Sequence, residues 1–199
     1  VGTWNHLAVV RNGSTVTPYL NGVAGTPQTA QNLYATPQPL YINHQDAQGQ
    51  YFNGYLSNYR VVNGTAVYTS NFTPSTTPLT AVSGTQLLTC QSNRFIDTSS
   101  NAYTLTVNGT PSVQAFSPFA PTAAYSTSVV GGSGYFDGTG DYLSVPDASA
   151  FTLGTSNFCV ESWIYPTTIS SGASQSIIGQ WASPSYGWIF QYRSGTLLM

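Results

Sequence analysis

Side chains that carry out chemistry are scarce in this sequence. Its 199 residues include six carboxylates, four arginines, two histidines and two cysteines, and they include no lysine. Hydrolysis of a glycosidic bond needs two carboxylates that face each other across a sugar. Glu161 is the only glutamate, and it occupies an alternating position of an apolar strand pattern without an acidic run beside it. We therefore interpret Glu161 as a structural residue and expect no hydrolysis.

Other catalytic motifs are also missing from the sequence. A serine hydrolase usually places its nucleophile at a sharp turn, and no Gly-x-Ser-x-Gly sequence occurs. His6 lies on a predicted strand beside Trp4, which favours a packed or hydrogen-bonded histidine. Glycines 131, 132 and 134 have no following lysine and precede no predicted helix, so they do not form a phosphate-binding loop. We predict that the chain is not an enzyme.

Aromatic residues near loops are the best candidates for binding. Exposed rings stack on sugars, while polar neighbours orient the hydroxyl groups. Trp181 and Tyr186 flank a predicted turn, although Trp181 would also fit the core. His44 precedes a predicted loop, where an ordinary exposed residue is the favoured alternative to a ligand contact. Trp188 alternates with apolar neighbours and is predicted to face the core. The candidate glycan-binding residues are Tyr186, Trp181, His44 and Asp46.

Metal binding has one weak candidate. Asp137 and Asp141 flank the turn 138–140, and Ca²⁺ takes six to eight oxygen ligands, often from loop carboxylates. The alternative is that these aspartates cap the backbone of their own turn. Cys90 and Cys159 are too few for a disulfide framework, and they fit either two buried reduced thiols or a single bridge. We predict no cofactor other than this weak calcium site.

Composition and charge exclude several classes of protein. Only 5% of the residues are charged and the net charge is −2, so the basic footprint of a nucleic-acid binder or of a polybasic membrane contact is missing. No 18-residue apolar run occurs, which argues against membrane insertion. Hydrophobic residues make up 41% of the chain, more than a disordered segment carries.

Short alternating runs separated by Gly, Asn and Pro predict an all-β protein, an antiparallel β-sandwich of the jelly-roll type. Asn12-Gly13 predicts a hairpin, and the runs on either side of residues 138–140 predict a second one. The predicted strands are 4–11, 16–20, 40–42, 52–62, 86–90, 103–107, 134–138, 141–145, 158–165, 176–181 and 187–192.

Four segments resemble one known family, the laminin-G-like, concanavalin A-like lectin/glucanase jelly rolls. Residues 134–165 (GYFDGTGDYLSVPDASAFTLGTSNFCVESWIY) and residues 87–113 resemble the opening strands of that fold. Residues 2–23 (GTWNHLAVVRNGSTVTPYLNGV) and residues 54–61 resemble its later hairpin and closing strand. The resemblance implies the fold, and it leaves the function open.

These motifs stand in inverted order along the chain. The resemblance implies that residues 1–80 form the C-terminal half of a jelly roll. Residues 81–199 then form the N-terminal part of a following domain, or of the same domain in a permuted form. A half jelly roll exposes an apolar sheet face, so the halves must close on each other or on neighbouring copies. Both ends of the sequence look cut from something longer, such as a tandem repeat.

The arrangement is similar to tandem jelly rolls of bacteriophage appendage proteins, such as tail fibres, and of large bacterial surface proteins. It implies a non-enzymatic structural or adhesive module, on a virion or at an extracellular or cell surface. The expected partners are a cell-surface glycan, neighbouring copies of the domain or other virion proteins, within an oligomeric assembly. The alternative is a carbohydrate-binding accessory module of a secreted glycoside hydrolase.

Overall fold

The computed structural model describes residues 1–44, 49–119, 126, 130–168, 174–182, 186–193 and 196–198. Apart from one 3₁₀ turn at Ser149–Phe151, its regular elements are strands. The strands are β1 (Asn5–Asn12), β2 (Thr15–Leu20), β3 (Val23–Ala24), β4 (Gln28–Thr29), β5 (Leu40–Ile42), β6 (Asn53–Asn63), β7 (Thr85–Thr89), β8 (Thr106–Asn108), β9 (Ser112–Gln114), β10 (Ser133–Asp137), β11 (Tyr142–Val145), β12 (Phe158–Thr168), β13 (Ser174–Ala182), β14 (Tyr186–Arg193) and β15 (Thr196–Leu198). Among the residues described, no helix has the length and apolarity needed to span a bilayer.

The strands form two antiparallel sheets. The nine-stranded sheet has the order β3-β2-β1-β12-β6-β10-β9, with β4 paired to β2 and β7 paired to β6. The six-stranded sheet has the order β15-β14-β13-β5-β11-β8. The predicted all-β, antiparallel jelly-roll sandwich is thereby confirmed.

One large apolar core joins the two sheets. Alternation along each strand turns one set of side chains inward. From β6 these include Leu56, Tyr59 and Val61, which are fully buried, and from β14 they include Trp188, which is 2% exposed. The prediction that Trp188 faces the core is therefore confirmed, and its Nε1 donates a hydrogen bond to the Phe151 carbonyl at 3.2 Å.

Strands from the two halves of the sequence alternate within both sheets. In the nine-stranded sheet β12 pairs with β1 on one side and with β6 on the other, and β6 also pairs with β10. In the six-stranded sheet β5 lies between β11 and β13. Segments far apart in sequence are therefore direct neighbours in each sheet.

One predicted hairpin is confirmed and the other is wrong. β1 and β2 pair around Gly13 and Ser14, with Asn12 opposite Thr15. β10 and β11 do not pair, because β10 belongs to the nine-stranded sheet and β11 to the six-stranded sheet. The turn between them contains Gly138 at φ 84° and Gly140 at φ 74°, a conformation that favours glycine. The chain crosses the sandwich at this turn, so both strands point apolar side chains into the same core.

A long connection between β6 and β7, residues 64–84, covers part of the outer face of the nine-stranded sheet. We call it the strap. Tyr68 and Phe72 of the strap stack at 3.5 Å with an interplanar angle of 5°. They pack against a second buried cluster formed by Ala8, Val10, Tyr19, Val62 and Cys159.

Candidate functional site

The outer face of the six-stranded sheet carries a group of four rings, which we call the aromatic platform. Ile42 of β5 pairs with Leu143 of β11, and both side chains are fully buried between the sheets. Because side chains alternate along a strand, the neighbouring Tyr41 and Tyr142 point to the outer face. The platform consists of Tyr41, His44, Tyr51 and Tyr142, and all four are half-buried.

Asn43 holds together the backbone segments that present these rings. Its φ is 70°, in the left-handed region that asparagine adopts more readily than most residues. Its buried side-chain amide donates a hydrogen bond to the Asp141 carbonyl at 2.7 Å. Its side-chain oxygen accepts one from the Phe52 backbone N–H, also at 2.7 Å. One side chain therefore connects the end of β5, the start of β11 and the segment before β6.

Three of the platform rings are nearly parallel. The His44 ring centroid lies 4.5 Å from that of Tyr142 and 5.2 Å from that of Tyr51, at interplanar angles of 25° and 16°. The two tyrosine centroids are 6.5 Å apart at 30°. Tyr41 is edge-on to His44, at 5.1 Å and 89°. The rings therefore form one stacked aromatic cluster rather than a set of isolated side chains.

In the described part of the chain, two pairs of neutral polar side chains lie beside the platform. Asn108 donates a hydrogen bond from Nδ2 to the hydroxyl of Ser144 at 3.3 Å, on the strand that carries Tyr142. Gln191 donates from Nε2 to Oε1 of Gln50 at 2.6 Å, next to Tyr51 in sequence. Rings flanked by amides and hydroxyls suit an uncharged polar ligand, since the rings contact its apolar face and the amides bind its hydroxyls.

The structure places two of the four predicted glycan-binding residues on this face. His44 is a member of the platform. Trp181 is half-buried on the same outer face of β13, two residues after Gly179, which pairs with Tyr41. Tyr186 begins β14, but its side chain lies outside the described residues, as does all of Asp46. The roles of these four residues stay predictions.

The sequence reasoning missed the three tyrosines of the platform. Alternation around Ile42 and Leu143 was a signal that Tyr41 and Tyr142 face outward. No local signal indicated that β5 pairs with β11, because about a hundred residues separate the two strands.

The two aspartates of the calcium hypothesis bind backbone amides. The buried Asp141 accepts hydrogen bonds from the N–H of Thr110 at 2.6 Å and from the N–H of Asp137 at 3.2 Å. Asp137 accepts one from the N–H of Thr139 at 2.7 Å. No group of three or more His, Cys, Asp or Glu side chains suited to a metal occurs within the described part of the chain. These contacts fit the turn-capping alternative, and the calcium site stays a prediction.

Glu161 lies at the centre of a buried network beneath the strap. Its Oε1 accepts hydrogen bonds from Nε and Nη2 of Arg60 at 2.8 and 2.5 Å. Its Oε2 lies 3.0 Å from Nε2 of His6 and accepts a hydrogen bond from the Tyr68 hydroxyl at 2.8 Å. Glu161 is 1% exposed and His6 is fully buried, so neither faces a substrate. Both are structural residues in this arrangement.

The network keeps Glu161 ionised in spite of its burial. Burial alone raises the pKa of a carboxyl group, because it penalises the charged form. Interactions with His6 and with the Arg60 guanidinium outweigh this effect and hold the pKa of Glu161 below its usual range. Burial, together with the same carboxylate, raises the pKa of the Tyr68 hydroxyl.

Both cysteines are free and buried, which selects the reduced alternative. Burial raises the pKa of the Cys90 thiol to about 12. Burial and the neighbouring Glu161 carboxylate raise the pKa of Cys159 well above its ordinary value. Reactive cysteines have lowered pKa values, so neither thiol has the character of a nucleophile.

Comparison with known proteins agrees with this architecture over the first third of the chain. Residues 1–70 match the family model described as the concanavalin A-like lectin/glucanases superfamily. Over this segment the chain is similar to that laminin-G-like superfamily. No curated protein and no solved structure gives a significant match. The matched segment of the superfamily contains β1 to β6, which supply strands to both sheets.

The similarity to this superfamily limits the function to broad classes. Laminin-G-like domains are generally non-catalytic binding modules and typically lie outside cells or at their surface. The findings support a carbohydrate-binding or structural β-sandwich module.

Proposed function

We propose that the chain is a non-enzymatic adhesive module that binds glycan on the aromatic platform. One observation carries the proposal. Three nearly parallel rings lie on an outer sheet face, beside amide and hydroxyl side chains. A pyranose ring has an apolar face of C–H groups and a rim of hydroxyls, and this surface matches both.

The position of the platform supports recognition of a chain rather than of one enclosed sugar. The rings lie on an open sheet face, and Trp181 extends the same face along β13. A ligand that occupies several sugar positions gains contact from each ring. We therefore expect binding that strengthens with the length of the oligosaccharide.

The proposed setting is a virion appendage or another extracellular surface protein, with a cell-surface glycan as ligand. The low charge and the superfamily of residues 1–70 support this setting. The alternative is an accessory module of a secreted glycoside hydrolase. A catalytic domain elsewhere in the parent protein would favour that alternative.

A glycan array followed by titration of the best ligand tests the proposal. Tyr142→Ala removes one platform ring and is expected to weaken binding about tenfold, since a stacked aromatic contact contributes on the order of 1 kcal/mol. Tyr34→Ala is the matched control, because Tyr34 is 63% exposed and lies outside the platform. Tyr34→Ala is expected to bind like the wild type.

Two results would contradict the platform proposal. An array without any signal would leave a structural spacer as the function. Binding that survives Tyr142→Ala but is lost in Tyr186→Ala would move the site to the end of β13 and β14. Hydrolysis of a bound glycan, measured as released reducing ends, would overturn the non-enzymatic assignment.

Calcium is not part of the proposed site. The carboxylates of Asp137 and Asp141 bind backbone amides, and the platform contains no carboxylate. Addition of EDTA is therefore expected to leave glycan affinity unchanged. A loss of affinity that calcium restores would reinstate the calcium hypothesis.

A further inference from the structure

The sandwich consists of two segments that are incomplete without each other. The first segment is residues 1–63 and contains β1 to β6, and the second is residues 85–198 and contains β7 to β15. Within the described strands, β5 pairs only with β11 and β13. Likewise, β6 pairs only with β7, β10 and β12. Both strands of the first segment therefore find all their partners in the second segment.

The second segment depends on the first to the same degree. In the six-stranded sheet, β5 is the link between the β15-β14-β13 group and the β11-β8 group. In the nine-stranded sheet, β12 lies between β1 and β6, which both belong to the first segment. Without the first segment, the six-stranded sheet separates into two groups, and β12 loses both of its main partners.

The apolar core is divided between the segments in the same way. Leu40, Phe52 and Leu56 of the first segment are fully buried, as are Phe136, Leu143 and Phe158 of the second. Because the core lies between these side chains, each segment on its own would expose an apolar surface to water. The contacts between the segments are therefore the contacts that hold the fold together.

The strap is the one covalent connection between the segments, and it is long enough to be a tether. It has 21 residues, 64–84, and contains no strand. Fully extended it would span about 70 Å. Its ends lie side by side, with the backbone N–H of Asn63 donating to the Gly84 carbonyl at 2.9 Å. The strand pairing does not require the two segments to come from the same copy.

We propose that these segments exchange between copies, so that the first segment of one copy completes the second segment of another. The strand edges involved are those of β5 and β6 in the first segment and of β12 in the second. The partner that fits these edges is a second copy of this chain. Copies joined in this way are linked by strand pairing and by their straps. The strand pairings that complete the fold would then also join the copies, and no second interface is needed.

The test uses the full chain with a protease site inserted between Thr76 and Thr77, which are exposed positions of the strap. Isotope-labelled and unlabelled chains are unfolded together, refolded at high concentration and analysed by native mass spectrometry. We expect dimers whose fraction rises with protein concentration during refolding. Cutting the strap is expected to resolve each dimer into particles of one-copy mass, of which about half contain one labelled and one unlabelled segment.

Two outcomes would overturn the proposal. Dimers that stay dimeric after the strap is cut would be held by surface contacts and not by exchanged segments. Dimers that on cutting yield only fully labelled or fully unlabelled particles would show that each chain had closed on itself.

A glycine variant tests whether the mixed particles use this strand pairing. A Cβ at Gly54 of β6 would lie 2.2 Å from the Tyr165 carbonyl oxygen of β12, in the other segment. In competition with the wild type, the first segment with Gly54→Ala is expected to be depleted from mixed particles. Gly13→Ala is the matched control, since Gly13 also has a positive φ but a Cβ there meets nothing within 4 Å. Equal incorporation of the two variants would contradict pairing through β6.

Discussion

At the scale of the residue, Glu161 shows how a chain with few charges uses them. Its carboxylate is surrounded by Arg60, His6, Tyr68 and the thiol of Cys159. A buried charge is tolerated only where partners replace the lost hydration. His6, Arg60 and Tyr68 come from β1, β6 and the strap, so one carboxylate of β12 connects three other parts of the fold.

Replacement of this carboxylate should change both stability and its dependence on pH. Glu161→Gln leaves Arg60 buried without a counter-charge, which is expected to cost about 3 kcal/mol of unfolding free energy near neutral pH. The folded-state pKa of Glu161 is lowered. The stabilisation by Glu161 is therefore present at pH values above its pKa in the unfolded chain. It is lost as the pH falls through its pKa in the folded protein. Urea unfolding of both proteins at pH 7 and in acid measures the difference.

The control for this prediction is Asp137→Asn, which changes an exposed carboxylate. It is expected to change stability much less than Glu161→Gln at neutral pH. The difference in unfolding free energy between the wild type and Glu161→Gln should shrink as the solution is acidified below the ordinary pKa of glutamate. A gap that stays constant down to strongly acidic pH would contradict a charged Glu161 in the folded protein.

At the scale of the element, the strap is held by side-chain contacts and isolated backbone hydrogen bonds, and not by a strand ladder. Tyr68 donates a hydrogen bond to Glu161, and the backbone N–H of Phe72 donates to the Gly22 carbonyl at 2.9 Å. Tyr68→Phe removes the hydroxyl but keeps the ring that stacks on Phe72. Since hydrogen bonds to charged groups contribute about 1.5–3 kcal/mol, we expect faster amide exchange at Phe72 in the variant.

Hydrogen exchange followed by mass spectrometry measures this change. Strand β14, which lies in the other sheet, serves as the internal control, and its protection should change less. Equal loss of protection in the strap and in β12 would mean that the hydroxyl stabilises the whole fold and not the strap in particular.

The elements also show what the sequence could and could not predict. Leu40–Ile42 was predicted with its observed bounds, and β12 was predicted from its alternation, because period-two patterns report burial on one face. The prediction of a strand at 103–107 was mostly wrong, since β8 covers Thr106–Asn108. Short edge strands such as β9 carry little apolar pattern, so they left no clear signal.

At the scale of the whole molecule, the sequence does not predict which strands pair with each other. Alternation predicts which face of a strand is buried, but it does not identify the neighbouring strand. This is why the β10 and β11 runs predict a hairpin although the two strands lie in different sheets. The same limit hid the platform, whose rings come together only because β5 and β11 are neighbours.

The interleaved sheets predict that the molecule unfolds as one cooperative unit. Leu56 of β6 is fully buried in the nine-stranded sheet, and Leu56→Ala is expected to cost about 2–5 kcal/mol. Because β6 and β14 pack into the same core, the truncation of Leu56 should lower the unfolding midpoint of both sheets together. Tryptophan fluorescence, which includes Trp188 of β14, and far-UV circular dichroism should report the same midpoint.

Leu20→Ala is the matched control, because Leu20 is 49% exposed and truncation there removes little buried area. It should leave the midpoint nearly unchanged. If the two segments were instead independent folding units, Leu56→Ala would lower the midpoint for one probe and not for the other. Two separated unfolding transitions in the wild type would also indicate independent folding units. Strands that share a sheet and a core are expected to unfold in one transition.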